Sequence, residues 1–419
     1  MTGQPLAVEA RRWSGNSRPA LAVYLAGLTA DLVGDFAWLV GLSWAAAQAG
    51  GVEAVSVVLT VGEAPRALLI LLAGGVVDRV GAVRVAQSAQ VGRIVVMAAI
   101  SGLALTGTAN VAVLAAAACL FGVLDAGRMP ASASLPVLLF GRERIPALQT
   151  VIGSTSRLAS VAGSALGGLV VAATGLAGAA LLNLTLFAAS FVSIVWLGRR
   201  LPFTPRPHPP GAGSHWAEAT AGFAYAWRHR VLGLLVLTIA VLNLVATAPL
   251  NVGFALRAQQ EGWGAGGLGW LTAVYSAGAG LSGLAVSVAR RHLNARLALG
   301  LCALNATALL AFGAKPGLPY GLLLALALGA TVGPASSLLT GLAMRETDPE
   351  VLGRVTSLMT FASFGLTPLS FPVFGLLTSA IGLVSAFALC GGAQLAVVIA
   401  VWATPVRHLG AARPLSEPA

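Results

Sequence analysis

The sequence predicts an all-α polytopic membrane protein with twelve transmembrane helices in two six-helix bundles. Three observations carry that expectation. The 419 residues are 57% hydrophobic and only 9% charged, too few charges to cover a soluble protein of this size. Apolar stretches of about 20 residues, enough to cross a bilayer, recur twelve times along the chain. One polar, Pro-rich interruption, RRLPFTPRPHPPGAGSH at 199–215, falls near the midpoint. A β-barrel would instead show short alternating segments.

The expected spans of the first half are 19–48, 53–77, 85–107, 109–138, 147–173 and 176–198. The first carries Asp31 and Asp35, the second Glu63 and Arg66, the third Arg93, the fourth Asp125 and Arg128, and the fifth Arg157. Residues 199–215 then read as a linker. Trp216, Phe223, Tyr225 and Trp227 follow among basic residues, as an interfacial helix entering the seventh span requires. The second half gives 231–256, 267–289, 296–314, 317–344, 351–379 and 381–404, with no ionisable residue at mid-membrane depth. The expected division is therefore 1–198, 199–215 and 216–419.

Orientation follows from the 25 basic residues. Nineteen fall at the termini or in loops after even-numbered spans, and the opposite side has only Arg257 and Lys315. The positive-inside rule then places both termini in the cytoplasm of a multi-pass protein of the cell (inner) membrane. The net charge of +11 is a topology signal, and nucleic acid is an unneeded partner. Residues 1–18 are polar, so no cleavable signal peptide is expected. Cys119, Cys302 and Cys390 sit in separate spans without metal-ligand or redox spacing, and read as packing residues. No metal, cofactor or enzymatic constellation of nucleophile and base is visible in any loop.

An internal repeat supports the two halves. Pro130-Ala131-Ser132 in the fourth span matches Pro334-Ala335-Ser336 in the tenth, and each precedes a charged loop. Parallel repeats of this kind build many secondary carriers.

The loop after the second span reads Gly74-Gly75-Val76-Val77-Asp78-Arg79-Val80-Gly81-Ala82-Val83-Arg84. It resembles the G-x-x-x-D-R/K-x-G-R-R/K signature of the major facilitator superfamily, with Gly74, Asp78, Arg79 and Gly81 matching and Arg84 displaced. In that family the cluster latches the cytoplasmic side, with Asp78 expected to cap or neutralise a helix N-terminus and Arg79 to bridge the halves. Gly163-Ser164-Ala165-Leu166-Gly167-Gly168 resembles the family's antiporter element G-P-x-x-G-G, with Ser164 in place of proline. Gly163, Gly167 and Gly168 are thus expected at a helix-packing face. Gly34-Asp35, Pro65-Arg66, Arg142-Glu143-Arg144 and Gly353-Arg354-Val355 extend the similarity toward the branch of macrolide-efflux proteins and the enterobactin exporter, which are drug:proton antiporters.

A charge in hydrocarbon costs at least about 2.5–3.5 kcal/mol, so the eight stranded residues need pairing or water. Asp31 and Asp35 share one helix face; Glu63–Arg66 and Asp125–Arg128 are spaced for ion pairs. Four acids facing four arginines make the layer neutral, and a proton entering one carboxyl would release an arginine. Asp35 and Asp31 are the first candidates for that proton, then Asp125, with Glu63 held by Arg66. Arg128 resembles the fourth-span arginine of family antiporters, Arg157 is a competing partner, and Arg93 lies shallower. Opposite, Asn243, Asn251, Asn305, Trp270, Tyr275 and Gln394 are expected in an otherwise apolar wall suited to a lipophilic substrate. The resulting expectation is a functional monomer that exports a lipophilic drug or secondary metabolite by alternating access. It would need no cofactor beyond the proton gradient. Import of a small nutrient is the alternative, and a non-transporting membrane protein is a third.

Overall fold

A helix that runs much beyond thirty residues outlasts the roughly 30 Å hydrocarbon layer and must turn back or leave it. Three such runs occur among the described residues, and each breaks at glycine. The computed structural model describes residues 18–199, 229–288, 294–314, 317–348, 351, 355–356, 358–359 and 361–409. The run Arg18–Val80 breaks at Gly50 and Gly51 into α1 (18–49) and α2 (52–80). Next come α3 (Ala82–Leu105) and α4 (Val111–Phe140), the latter capped by the Asn110 side chain accepting from Val113 N at 3.0 Å. Ile145–Gly198 divides at Gly175 into α5 (145–174) and α6 (176–198).

In the second half, α7 (230–260) is helical over Arg230–Ala248, widens through a π-helical turn at Pro249–Gly253 and ends as Phe254–Gln260. Then follow α8 (Gly264–Val288), α9 (Ala295–Gly313) and α10 (Leu318–Arg345). A π-helical turn at Phe361–Gly365 leads into Thr367–Trp402, which Gly382 divides into α11 (361–381) and α12 (383–402). Eight described helical runs are long and apolar enough to cross a membrane. Three of those hold two helices each, and the glycine-rich α8 completes twelve, as the sequence predicts.

The repeat extends to the turns. Gly175 between α5 and α6 (φ 68°) and Gly382 between α11 and α12 (φ 81°) occupy corresponding places. Both adopt a left-handed conformation that a side chain would strain. Pro130-Ala131-Ser132 and Pro334-Ala335-Ser336 both lie within helices, α4 and α10.

The ends of the bundle differ in how the core is built. At the end bearing the Gly51, Gly175 and Gly382 turns, one buried cluster spans both halves. It includes Trp38, Phe121 and Phe187 with Phe254, Phe312 and Phe387. At the opposite end, where α6 finishes and α7 begins, each half keeps a cluster of its own. Tyr24, Val77, Val85 and Leu135 belong to one; Leu235, Leu299, Leu339 and Val398 belong to the other. The halves are thus joined at the far end and separately packed at the linker end. Linker residues 200–215 and the aromatic run to Trp227 lie outside the described residues, as do Arg290, Arg291, Lys315, Gly353 and Arg354.

Candidate functional site

The charged residues of α1 to α4 converge on one network. Asp31, one turn before Asp35 on α1, accepts through Oδ1 from Gln90 Nε2 at 2.7 Å and Arg93 Nη1 at 2.6 Å. Its Oδ2 accepts from Arg128 Nη1 at 2.5 Å. Arg128 also donates Nη2 to Asp35 at 2.9 Å and Nε to Asp125 at 2.8 Å, so one guanidinium of α4 ties three carboxylates together. Arg93 is in ionic contact with Asp35, and its Nε lies 3.9 Å from Asp125. On α2, Glu63 pairs with Arg66, whose Nη1 approaches Asp125 Oδ2 at 4.0 Å.

Arg93 is the centre rather than the shallow edge of this network. Its side chain is 0% exposed and stacks between Phe121 at 4.5 Å and Phe187 at 3.9 Å. Two aromatic faces and two aspartates compensate a cation that has left water entirely. Gln90, which sequence reasoning passed over, is also buried and bonds both Asp31 and Arg93. Its position three residues before Arg93, hence on the same helix face, was the available signal.

Arg157 does not join the network. It points from α5 across to α8, where it lies against Gly280 and Gly283, and no acid among the described residues pairs with it. The expected balance of four acids and four arginines therefore becomes Asp31, Asp35, Glu63 and Asp125 against Arg66, Arg93 and Arg128. Within the network Glu63 and Asp35 are the least buried carboxylates, at 25% and 21% side-chain exposure.

A cavity of about 320 Å³ sits between the halves, bounded by Phe36 on α1, Ser156, Arg157 and Ser160 on α5, Tyr275 and Ser276 on α8, and Ser337 on α10. Of the wall expected from the second half, only Tyr275 borders it. Asn305 donates Nδ2 to Thr331 Oγ1 at 2.8 Å and accepts from Gln394 Nε2 at 3.0 Å, deep inside the second half. Asn243 and Asn251 donate to carbonyls of their own helix, and Trp270 is exposed. Polar groups in an apolar helix satisfy the nearest acceptor first, which sequence spacing does not reveal.

The second half also buries a charge where none was expected. Arg257, read as a loop residue, lies inside α7 with its side chain 0% exposed. It donates to Gly313 O at 2.9 Å and to Glu261 Oε1 at 3.3 Å, fastening α7 to the end of α9.

The three glycines of α5 have distinct partners. A Cβ on Gly163 would come 2.5 Å from Val33 O, and one on Gly167 would come 2.7 Å from Ala37 Cα, so both seat α5 on α1. A Cβ on the adjacent Gly168 would come 2.5 Å from Gly269 Cα, on α8 of the other half. Nearby, Gln259 Nε2 donates across the halves to Ala47 O at 2.8 Å. The loop signature lies at the turn between α2 and α3. Asp78 and Arg79 are exposed, with no hydrogen bond or ion pair among the described residues, and Arg84 is exposed as well. Gly81 (φ 96°), not Asp78, occupies the start of α3, which has no side-chain cap. The surroundings of Gly74 lie outside the described residues.

Twelve apolar helices in two repeated halves, a cavity between them and a buried acid–arginine network beside it define a secondary active transporter. The chain belongs to the Major Facilitator Superfamily, whose family profile matches residues 23–366. It is 29% identical over 414 residues to a protein of Mycobacterium tuberculosis named multidrug efflux pump Tap, covering 89% of this chain and 90% of that one. A protein of the same name from Mycolicibacterium fortuitum is 28% identical over 404 residues, covering 93% and 97%. Among solved structures, a bacterial homologue of the iron transporter ferroportin, in an inward-facing state, superposes with a TM-score of 0.72 at 18% identity, covering 93% of this chain and all of that one. An auto-inhibited POT family peptide transporter gives 0.73 at 14% identity, covering 94% and 99%. At those identities the structural likeness concerns the fold alone.

Proposed function

We propose that this chain exports a lipophilic drug-like molecule from the cytoplasm in exchange for protons. In this reading it is a monomer of the cell membrane with both termini inside. A first bundle (1–198) handles the proton, and the linker 199–215 joins it to a second bundle (216–419). The observation that carries the reading is that four carboxylates share three guanidiniums. A desolvated network of that composition is neutral only with one carboxyl protonated, and an uncompensated charge there is costly. The network therefore holds one exchangeable proton.

Glu63 is favoured as its site. Asp31 receives three hydrogen bonds as a carboxylate and Asp35 and Asp125 each lean on Arg128, whereas Glu63 has Arg66 alone and is the most exposed of the four. Protonating Glu63 frees Arg66 to close on Asp125, already 4.0 Å away, which in turn loosens Asp125 from Arg128. Such partner exchange biases the packing of α2 and α4 against α1 and so couples protonation to rocking of the halves.

Direction is supported by the uneven core. With the far end sealed through Gly168–Gly269 and Gln259–Ala47, the cavity lies on the linker side, which the positive-inside rule makes cytoplasmic. The mycobacterial relatives are named multidrug efflux pumps, which supports export of drug-like molecules. The test uses inverted membrane vesicles energised to an acidic interior, with a panel of antibiotics and lipophilic dyes. Accumulation should require the purified chain and collapse when a protonophore dissipates the gradient. Accumulation that survives the protonophore would sink proton coupling.

A further inference from the structure

The cavity between the halves contains a cation, Arg157, that has no counter-ion among the described residues. Arg157 leaves α5 and lies over two glycines of α8 one turn apart. A Cβ on Gly280 would stand 3.3 Å from its Cβ, and one on Gly283 would stand 2.9 Å from its Nη2. The bare backbone of α8 thus forms a slot that holds the long side chain extended at the cavity wall. No carboxylate among the described residues pairs with it. The segments of α8, α9 and α10 contain no aspartate or glutamate at all, so no rotation of that wall can bring one to it. The acids of the network, Asp31, Asp35, Glu63 and Asp125, are already engaged with Arg66, Arg93 and Arg128. Hydroxyl-bearing Ser156, Ser160 and Ser337 border the same space, with Phe36 and Tyr275 as its aromatic sides.

A guanidinium offers five donors in a planar fork that suits a carboxylate or another anionic group, and it cannot lose its charge. Kept partly out of water and unpaired, it holds an unmet demand that a bound anion would satisfy. We infer that Arg157 is the substrate-charge selector of this cavity, which takes apolar aromatic compounds carrying one anionic group, the anion on Arg157 and the ring against Phe36 and Tyr275. This deepens the export reading above and rests on its placing of the substrate between the halves. Cargo charge is thereby read by α5 and α8 while the proton is handled on α2 and α4, so the two ions need not compete for one site.

The test is equilibrium dialysis of the full chain in a zwitterionic detergent, without a proton gradient, so that failure of coupling cannot mask the result. The probes are naphthylacetate and its neutral isostere naphthylacetamide. The wild-type chain should bind the carboxylate about tenfold more tightly, as one charge-assisted contact allows. Arg157→Gln should erase that preference while leaving carboxamide binding within about twofold, and Arg157→Lys should keep part of it. Equal binding of the two probes by the wild-type chain, or no binding of either, would overturn the proposal without any variant having to fold. Retained preference in Arg157→Gln would overturn it too. Adding dioctanoyl phosphatidylglycerol separates cargo from lipid. A lipid headgroup that displaces naphthylacetate at lower concentration than unlabelled naphthylacetate does would reassign the cation to a lipid site and overturn its role in selecting cargo.

Discussion

Asp31 and Arg93 meet at 2.6 Å across the α1–α3 interface, with the guanidinium enclosed by Phe121 and Phe187. Removing one partner of a buried pair strands the other, at a cost of about 3–5 kcal/mol, while removing both costs much less. Asp31→Asn and Arg93→Met should each lower the melting temperature of the detergent-purified protein sharply. The double variant should recover part of the loss. Equal, additive losses would mean that the two do not act as a pair.

Glu63→Gln should behave differently, because it fixes the state in which the proposed proton is bound. The melting temperature should stay near that of the wild type. Gradient-driven accumulation should fall at least about tenfold while energy-independent exchange of substrate across the membrane survives, the mark of lost coupling rather than lost folding. Asp35→Asn supplies the comparison, since it also removes an ionic contact to Arg93 and Arg128. If Asp35→Asn uncouples and Glu63→Gln does not, the exchangeable proton belongs to Asp35.

Gly168 and Gly269 let α5 and α8 touch backbone to backbone at the far end. A side chain forced between them should cost about 1–3 kcal/mol in the far-end-closed state. Gly168→Leu is expected to widen the distance between spin labels placed at the α1–α2 and α7–α8 turns and to cut transport severalfold. Gln259→Ala, which removes the second link at that end, should add to the widening. An unchanged distance distribution in the double variant would rule out these contacts as the seal.

Asn305 links Thr331 and Gln394 inside the second half, away from the acid–arginine network. Asn305→Ala leaves two buried polar side chains short of a partner, at about 1–3 kcal/mol. The melting temperature should therefore drop, with the protonophore sensitivity of the remaining transport unchanged. A shift in that sensitivity would connect the polar cluster to coupling.

Hydropathy, the charge count of loops, the repeat at Pro130 and Pro334 and the concentration of ionisable residues in α1 to α5 are all read along one strand of sequence. They set the class, the twelve crossings, the family and the four acids of the network, because bilayer thickness and helix rise act on every segment alike. Pairs within a helix were legible for the same reason: Glu63 with Arg66 and Asp125 with Arg128 lie three residues apart. Which helix faces which, and at what rotation, is decided by packing between segments far apart in the chain. Only the tertiary structure could therefore put Arg93 at the centre, turn Arg157 away to the cavity, draw Asn305 and Gln394 into the interior and sink Arg257 beneath Gly313. A rotation of one residue along a helix turns a side chain by about 100°, enough to move it from a partner to lipid, and no local pattern fixes that angle.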